Sequence, residues 1–181
     1  MTCIVGIEHK DRGENMVYMG GDSAAVGGWD MSIETGPKVF HVGEFLIGYT
    51  SSFRMGQLLQ YHLSVKPQEK ESNRAYMIAV FAEAVRELLK GHGYARVENN
   101  EEEGGCFLVG YRGELYTMEG DFAVLRSADG FAAIGCGSSY ALGALKAMGL
   151  EHPQEALERA LEVAAHFSAG VRGPFTTELI P

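Results

Sequence analysis

Cysteine is scarce in this chain. Cys3, Cys106 and Cys136 are the only three, an odd number with no CxxC pair, which excludes a disulfide framework and a tetrahedral zinc site. A reducing, cytoplasmic setting is therefore expected. Long apolar runs are also missing: no stretch approaches the roughly 18 residues of a membrane span. The opening Met1-Thr2-Cys3-Ile4-Val5 has neither the basic n-region nor the apolar h-region of a signal peptide. Cations are few, with 15 Lys and Arg against 24 Asp and Glu and a formal net charge of -9. Such a surface repels phosphate backbones and anionic lipid, so neither nucleic acid nor a membrane is expected as a partner. No motif calls for a metal or a cofactor, and none is expected.

What is present reads as an ordinary globular chain. The 181 residues are 46% hydrophobic and 22% charged, which predicts one domain spanning 1–181. Cys3–Ile7 and Met16–Met19 are short apolar runs on either side of the polar stretch Glu8–Asn15, a hairpin at the start of the chain. Lys38–Val42 and Phe45–Thr50 flank Gly43-Glu44 as a second hairpin. The period then changes to that of helices, with Met55, Leu58, Leu59 and Leu63, and after Pro67 with Met77, Val80, Phe81, Ala84, Val85, Leu88 and Leu89. Glu98–Glu103 reads as a solvated acidic loop. Strands return at Cys106–Tyr111, Glu114–Met118, Ala123–Arg126 and Phe131–Ile134, separated by glycine turns. Helices follow at Ser139–Met148 and from Gln154 to Phe167, with Pro153 at the first helical position. Phe175–Ile180 is a closing strand. Strands, two helices, strands, two helices and a strand argue for an α+β arrangement of packed layers, two central sheets with helices outside.

Chemistry concentrates at the beginning of the chain. Removal of Met1 would leave Thr2 with a free hydroxyl and a free amine, a nucleophile and its own base, since an α-amine with a reference pKa near ~8 is partly unprotonated at neutrality. Gly20-Gly21-Asp22-Ser23 ends the second strand, and Pro37-Lys38-Val39 opens the next, with Lys38 sixteen residues after Asp22. Taken singly, Asp22 also fits a turn cap and Lys38 a solvated strand end.

With these segments the chain resembles the β-type peptidase subunits of the proteasome, and more closely the bacterial proteasome-like peptidase HslV. Thr2-Cys3-Ile4-Val5-Gly6 looks like the mature N-terminus of that family, Gly20-Gly21-Asp22 like its first acidic motif, and Lys38-Val39 like its lysine segment. Phe45–Ser52 resembles the strand and turn that supply an oxyanion donor, and Ala133-Ile134-Gly135-Cys136-Gly137-Ser138 resembles a Gly-Ser-Gly element that opens a helix. The resemblance covers nearly the whole chain. It implies a four-layer αββα sandwich of the N-terminal-nucleophile (Ntn) hydrolase type and a threonine-type endopeptidase. Thr2 would attack the scissile carbonyl, Lys38 would favour the unprotonated amine and the oxyanion, and Asp22 would hold Lys38. It also implies a homo-oligomeric ring, a hexamer or heptamer, in some relatives stacked in pairs, with an unfolded protein or peptide as substrate and an ATPase unfoldase as a partner.

The sequence departs from the family pattern at several places. Ser51 stands where the oxyanion amide usually belongs to glycine; a backbone N–H is still available. Cys136 replaces the assisting serine, with Ser138 two residues on as a substitute. His166 aligns with an aspartate that positions the N-terminal residue, and the first hairpin carries extra residues around His9–Glu14, expected as a long surface turn. Tyr49 aligns with the floor of the pocket for the side chain before the cut, which implies a shallow pocket. Two other readings stay open: an Ntn amidohydrolase acting on a small amide, and a non-catalytic ring scaffold, motivated by Ser51, Cys136 and His166.

Overall fold

The computed structural model describes residues 1–98 and 101–181. One sheet has the strand order β12-β1-β2-β13, built from Phe131–Ile134, Ile4–Asp11, Glu14–Gly21 and Thr176–Ile180. The second has the order β11-β10-β9-β6-β5, built from Val124–Leu125, Glu114–Met118, Phe107–Tyr111, Phe45–Tyr49 and Val39–Val42. Helix α1 (Phe53–His62) begins at Ser52, whose Oγ accepts from the Met55 N–H, an ordinary N-cap. Helices α2 (Asn73–Tyr76) and α3 (Ala82–Gly91) form one rod through the π-helical turn Met77–Phe81. Helices α4 (Ser138–Met148) and α5 (Pro153–Phe167) follow, the second with proline in its first turn.

Three apolar clusters separate these elements into four layers. Phe45, Ile47, Met55, Leu59, Phe81 and Phe107 join the second sheet to α1 and the α2–α3 rod. Cys3, Val5, Ile7, Leu145, Leu157 and Leu161 join the first sheet to α4 and α5. Ile4, Val17, Met19, Val39, Leu46, Leu108 and Leu115 lie between the sheets. The arrangement is the αββα sandwich that the element order and the resemblance imply. It follows from two-residue alternation: Cys3, Val5 and Ile7 point to the helices while Ile4 points between the sheets. Thr2 shares the parity of Ile4, so its side chain emerges at the margin of the inter-sheet layer. No helix among the described residues is long and apolar enough to cross a membrane.

Two local expectations are corrected, and one further hairpin is found. The extra residues around His9–Glu14 do not make a long turn: β1 and β2 pair from Ile4↔Gly21 out to Asp11↔Glu14, and only Arg12 and Gly13, both at positive φ, turn the chain. A two-residue turn of that kind matches strand twist and lets the ladder continue. The acidic segment is not an open loop, because Arg96–Glu98 (β7) pairs with Glu101–Glu103 (β8); Asn99 and Asn100 lie outside the described residues. Arg86 and Lys90 of α3 both bond the Glu102 carboxylate, which offsets the local repulsion. A third hairpin, β3 (Ala24–Gly27) with β4 (Asp30–Ile33), had no period-two apolar signal strong enough to announce it.

The sheets meet closely at Gly48, where a Cβ would lie 2.5 Å from Ile4 Cγ2 and 2.6 Å from Met19 Sδ. Gly48→Ala is expected to lower unfolding free energy by about 1–3 kcal/mol through overpacking, measured by denaturant titration; an unchanged midpoint would mean the layers can separate freely there.

Candidate active site

Asp22 leaves the end of β2 opposite Cys3, since Gly21 pairs with Ile4 and the Asp22 N–H donates to the Cys3 carbonyl at 3.3 Å. Its carboxylate is buried and saturated. Oδ1 accepts from the Cys3 N–H at 3.0 Å and from Lys38 Nζ at 3.0 Å, and Oδ2 accepts from the Ala24 N–H at 3.0 Å and the Arg172 N–H at 3.3 Å. Thus one side chain ties together the first strand, the β3–β4 hairpin, the loop before β13 and Lys38.

Lys38, just before β5, is 3% exposed. Besides Asp22, its Nζ donates to Thr2 Oγ1 at 3.0 Å and to the Ala24 carbonyl at 2.6 Å. Three acceptors match the three N–H groups of an ammonium, so the geometry is that of a charged lysine. Burial pushes its pKa below the usual lysine range, and the Asp22 carboxylate opposes that shift. The Phe53 ring centroid stands 5.9 Å from Nζ.

Thr2 is 4% exposed. Its hydroxyl accepts from Lys38 and donates to the Met1 carbonyl at 2.5 Å, while its own carbonyl accepts from the Gly137 N–H at 3.3 Å and from Cys136 Sγ at 3.5 Å. Gly135, at φ 90°, is required here, because a Cβ would lie 2.2 Å from that carbonyl oxygen. Met1, Thr2, Val26, Lys38, Tyr49, Ser51 and Phe53 line a cavity of about 100 Å³. Tyr49 forms a buried wall of it, fixed by Phe40 and Phe53, and Gly56 passes its ring so closely that a Cβ there would clash. Burial, with the Glu34 carboxylate second, pushes the Tyr49 phenol up to about 12.

Thr2, Lys38 and Ser51 therefore converge on one cavity, Asp22 is buried behind Lys38, and Cys136 touches the Thr2 backbone from the other side. Ser51 adopts φ 74°, a left-handed conformation that costs a non-glycine residue about 1–2 kcal/mol. The expected roles of Ser138 and His166 are not matched by contacts. Ser138 opens α4 and donates its N–H to Gly135, and its hydroxyl makes no hydrogen bond among the described residues. His166 is exposed near the end of α5, its ring edge-on to Phe167. Ser168, which sequence reasoning missed, takes the place beside Cys136, with 3.3 Å between Sγ and Oγ. It sits two residues beyond His166, where the helix has ended; the helical period of α5 carried no signal for it.

Cys3 points the opposite way from Thr2, into the helix-side core, fully buried. Burial, reinforced by Asp22, pushes its thiol up to about 12, which disfavours the thiolate that a cysteine nucleophile needs.

Solved structures share this architecture. BPH from Thiobacillus denitrificans, solved in complex with epoxomicin, is 19% identical with a TM-score of 0.79 over 99% of this chain and 98% of its own. Eukaryotic HslV from Trypanosoma brucei is 19% identical with a TM-score of 0.70, covering 99% of both chains. An Anbu (Gly-1) mutant from Hyphomicrobium sp. strain MC1 is 16% identical with a TM-score of 0.69, over 98% of this chain and 80% of its own. The chain has the HslV-type fold. No family model matches it, and no curated protein sequence does. Within the HslV-type fold the cavity beside Thr2 lies at the open margin between the two sheets.

Two outcomes test the geometry. Asp22→Asn is expected to cost about 3–5 kcal/mol in denaturant unfolding, because it leaves the Lys38 charge buried without its counter-ion; a loss under about 1 kcal/mol would mean that Lys38 is neutral. Under native conditions a maleimide is expected to modify exposed Cys136 first and to leave buried Cys3 untouched until unfolding. Peptide mapping of the adduct reads the order, and early modification of Cys3 would contradict the buried placement.

Proposed function

We propose that the protein is a threonine-type peptidase of the Ntn-hydrolase class, with Thr2 as nucleophile after removal of Met1. The observation that carries this reading is the Lys38 ammonium, bonded at 3.0 Å to both Thr2 Oγ1 and Asp22 Oδ1 inside a buried site. Loss of Met1 would free the α-amine, take away the carbonyl that holds the hydroxyl, and open the cavity that Met1 lines. The amine would then accept the hydroxyl proton as Oγ1 attacks the scissile carbonyl. Lys38 would lower the amine pKa by like charge and stabilise the developing oxyanion, together with the Ser51 N–H. Collapse of the tetrahedral intermediate would break the C–N bond, with the protonated α-amine giving its proton to the leaving amine, and water, with the same amine as base, would then release the acyl-enzyme ester.

The Cys136 thiol and Ser168 hydroxyl would orient the Thr2 backbone. Tyr49 closes the cavity and favours small or medium side chains before the cut. The likeness in fold to BPH, solved with epoxomicin, and to HslV supports a homo-oligomeric ring; a peptide or unfolded protein as substrate and an ATPase unfoldase as partner belong to the same proposal. Asp22, Lys38, Ser51 and Cys136 are the residues proposed to assist Thr2.

Intact-mass measurement before and after epoxomicin tests the reading. The expected result is a chain lacking Met1 that gains one covalent adduct, with none on Thr2→Ala. The adduct rate is expected to rise with pH through an apparent pKa below the ordinary α-amine value, and Lys38→Met to slow it about 100-fold or more. A chain lacking Met1 that takes no adduct would leave the fold as a scaffold without this chemistry.

A further inference from the structure

The C-terminal ends of α1 and α3 bring two imidazoles together at the surface. Leu58 and Leu59 of α1 share an apolar cluster with Val85 and Leu89 of α3, and this packing sets His62, in the last turn of α1, beside His92, at the C-cap of α3. Their ring centroids are 4.9 Å apart and the rings are inclined at 43°. Both residues are exposed, and neither ring makes a hydrogen bond among the described residues. Two polar rings in contact at a water-facing surface gain little from each other, whereas neutral imidazole is the commonest side-chain ligand of a transition metal. With metal–nitrogen bonds of about 2.0–2.1 Å, two imidazoles on adjacent corners of one ion have centroids about 4.5–5.2 Å apart, a range that brackets the observed separation. Each ring also sits at the end of a helix whose last carbonyls form the negative end of its dipole, which favours a cation there. Glu83 and Glu87 of α3 line a groove that reaches His62, with Lys66 on its rim, and Lys90, in the last turn of α3, is engaged by Glu102.

We infer that His62 and His92 form a two-histidine site for one divalent transition-metal ion of the class that prefers imidazole, such as Zn²⁺. Among the described residues no group of three metal-ligating side chains comes together, so the pair supplies two ligands and water completes the shell. One ion on both rings ties the C-terminal end of α1 to that of α3. The other end of α1 belongs to the cavity: the helix is capped by Ser52, directly after Ser51, and its first residue, Phe53, lines the wall beside Thr2. A metal bridge therefore braces the helix on which that wall is mounted, from about 15 Å away along its axis. The site is separate from Thr2 and does not depend on the chemistry proposed there.

Titration with Zn²⁺ by isothermal calorimetry tests the site, with the exposed Cys136 thiol alkylated in every sample so that it does not compete. His62→Gln, His92→Gln and the double variant are each expected to weaken binding about tenfold or more, since a lost ligand costs at least as much as a lost outer-shell partner. The three losses are expected to be equal, because both rings hold the same ion. Zn²⁺ is expected to raise the denaturant midpoint of the unsubstituted protein and not that of the variants, while Mg²⁺, which takes oxygen ligands, raises neither. The imidazole NMR signals of the unsubstituted protein give a reading that needs no substitution: those of His62 and His92 are expected to move together over the same equivalent of Zn²⁺. Movement of one ring without the other overturns the inference, as does the absence of any binding heat with Zn²⁺ in large excess. Unchanged affinity in either single variant also overturns it, and assigns the ion to other groups.

Discussion

An ammonium with almost no access to water is the constraint around which the margin of the sandwich is organised. Lys38 Nζ has three acceptors and all three are protein atoms: a carboxylate, a backbone carbonyl and the Thr2 hydroxyl. Taking such a charge out of water costs several kcal/mol unless its counter-charge is held in place. Asp22 is held by backbone N–H groups from three separate segments, at Cys3, Ala24 and Arg172. Those bonds stabilise the carboxylate and at the same time fix where Thr2, the β3–β4 ribbon and the loop before β13 meet.

The sandwich supplies the rest of the site by parity and by close approach. Successive residues from Cys3 to Ile7 alternate between the helix side and the inter-sheet side, so the residue before Cys3 faces the layer where Lys38 and Ser51 converge. Glycine recurs where backbone must come near: Gly48 between the sheets and Gly135 over the Thr2 carbonyl. Ser51 stands at φ 74° without the freedom of glycine. Strain of this kind persists where the surrounding structure over-determines it, and here the following residue, Ser52, caps α1.

The far side of Thr2 is softer. Cys136 and Ser168 meet each other and the Thr2 carbonyl through a thiol, a weaker hydrogen-bonding group than a hydroxyl. His166 takes no part in that contact. The polar grip on Thr2 is strongest on the Lys38 side, where its hydroxyl is bound.

Much of this was legible in the residues. Helical and strand periods gave both outer helix pairs and most of the two sheets, because burial on one face writes a period into the sequence. Asp22 and Lys38 stood out by their spacing and by the strand ends they occupy. The β3–β4 ribbon did not, since β4 is exposed along its whole length and bears no burial period. Ser168 was displaced from the expected His166 because the end of α5 changes which residue faces inward, and helix ends are not written in a period. The order of elements, the layers they form and the residue types available at the margin can be read along the chain. That one carboxylate binds backbone from three segments, and that Lys38 is buried against Thr2, emerges only once the chain is folded. Contacts of that kind depend on distances between parts of the chain far apart in sequence, which no local pattern encodes.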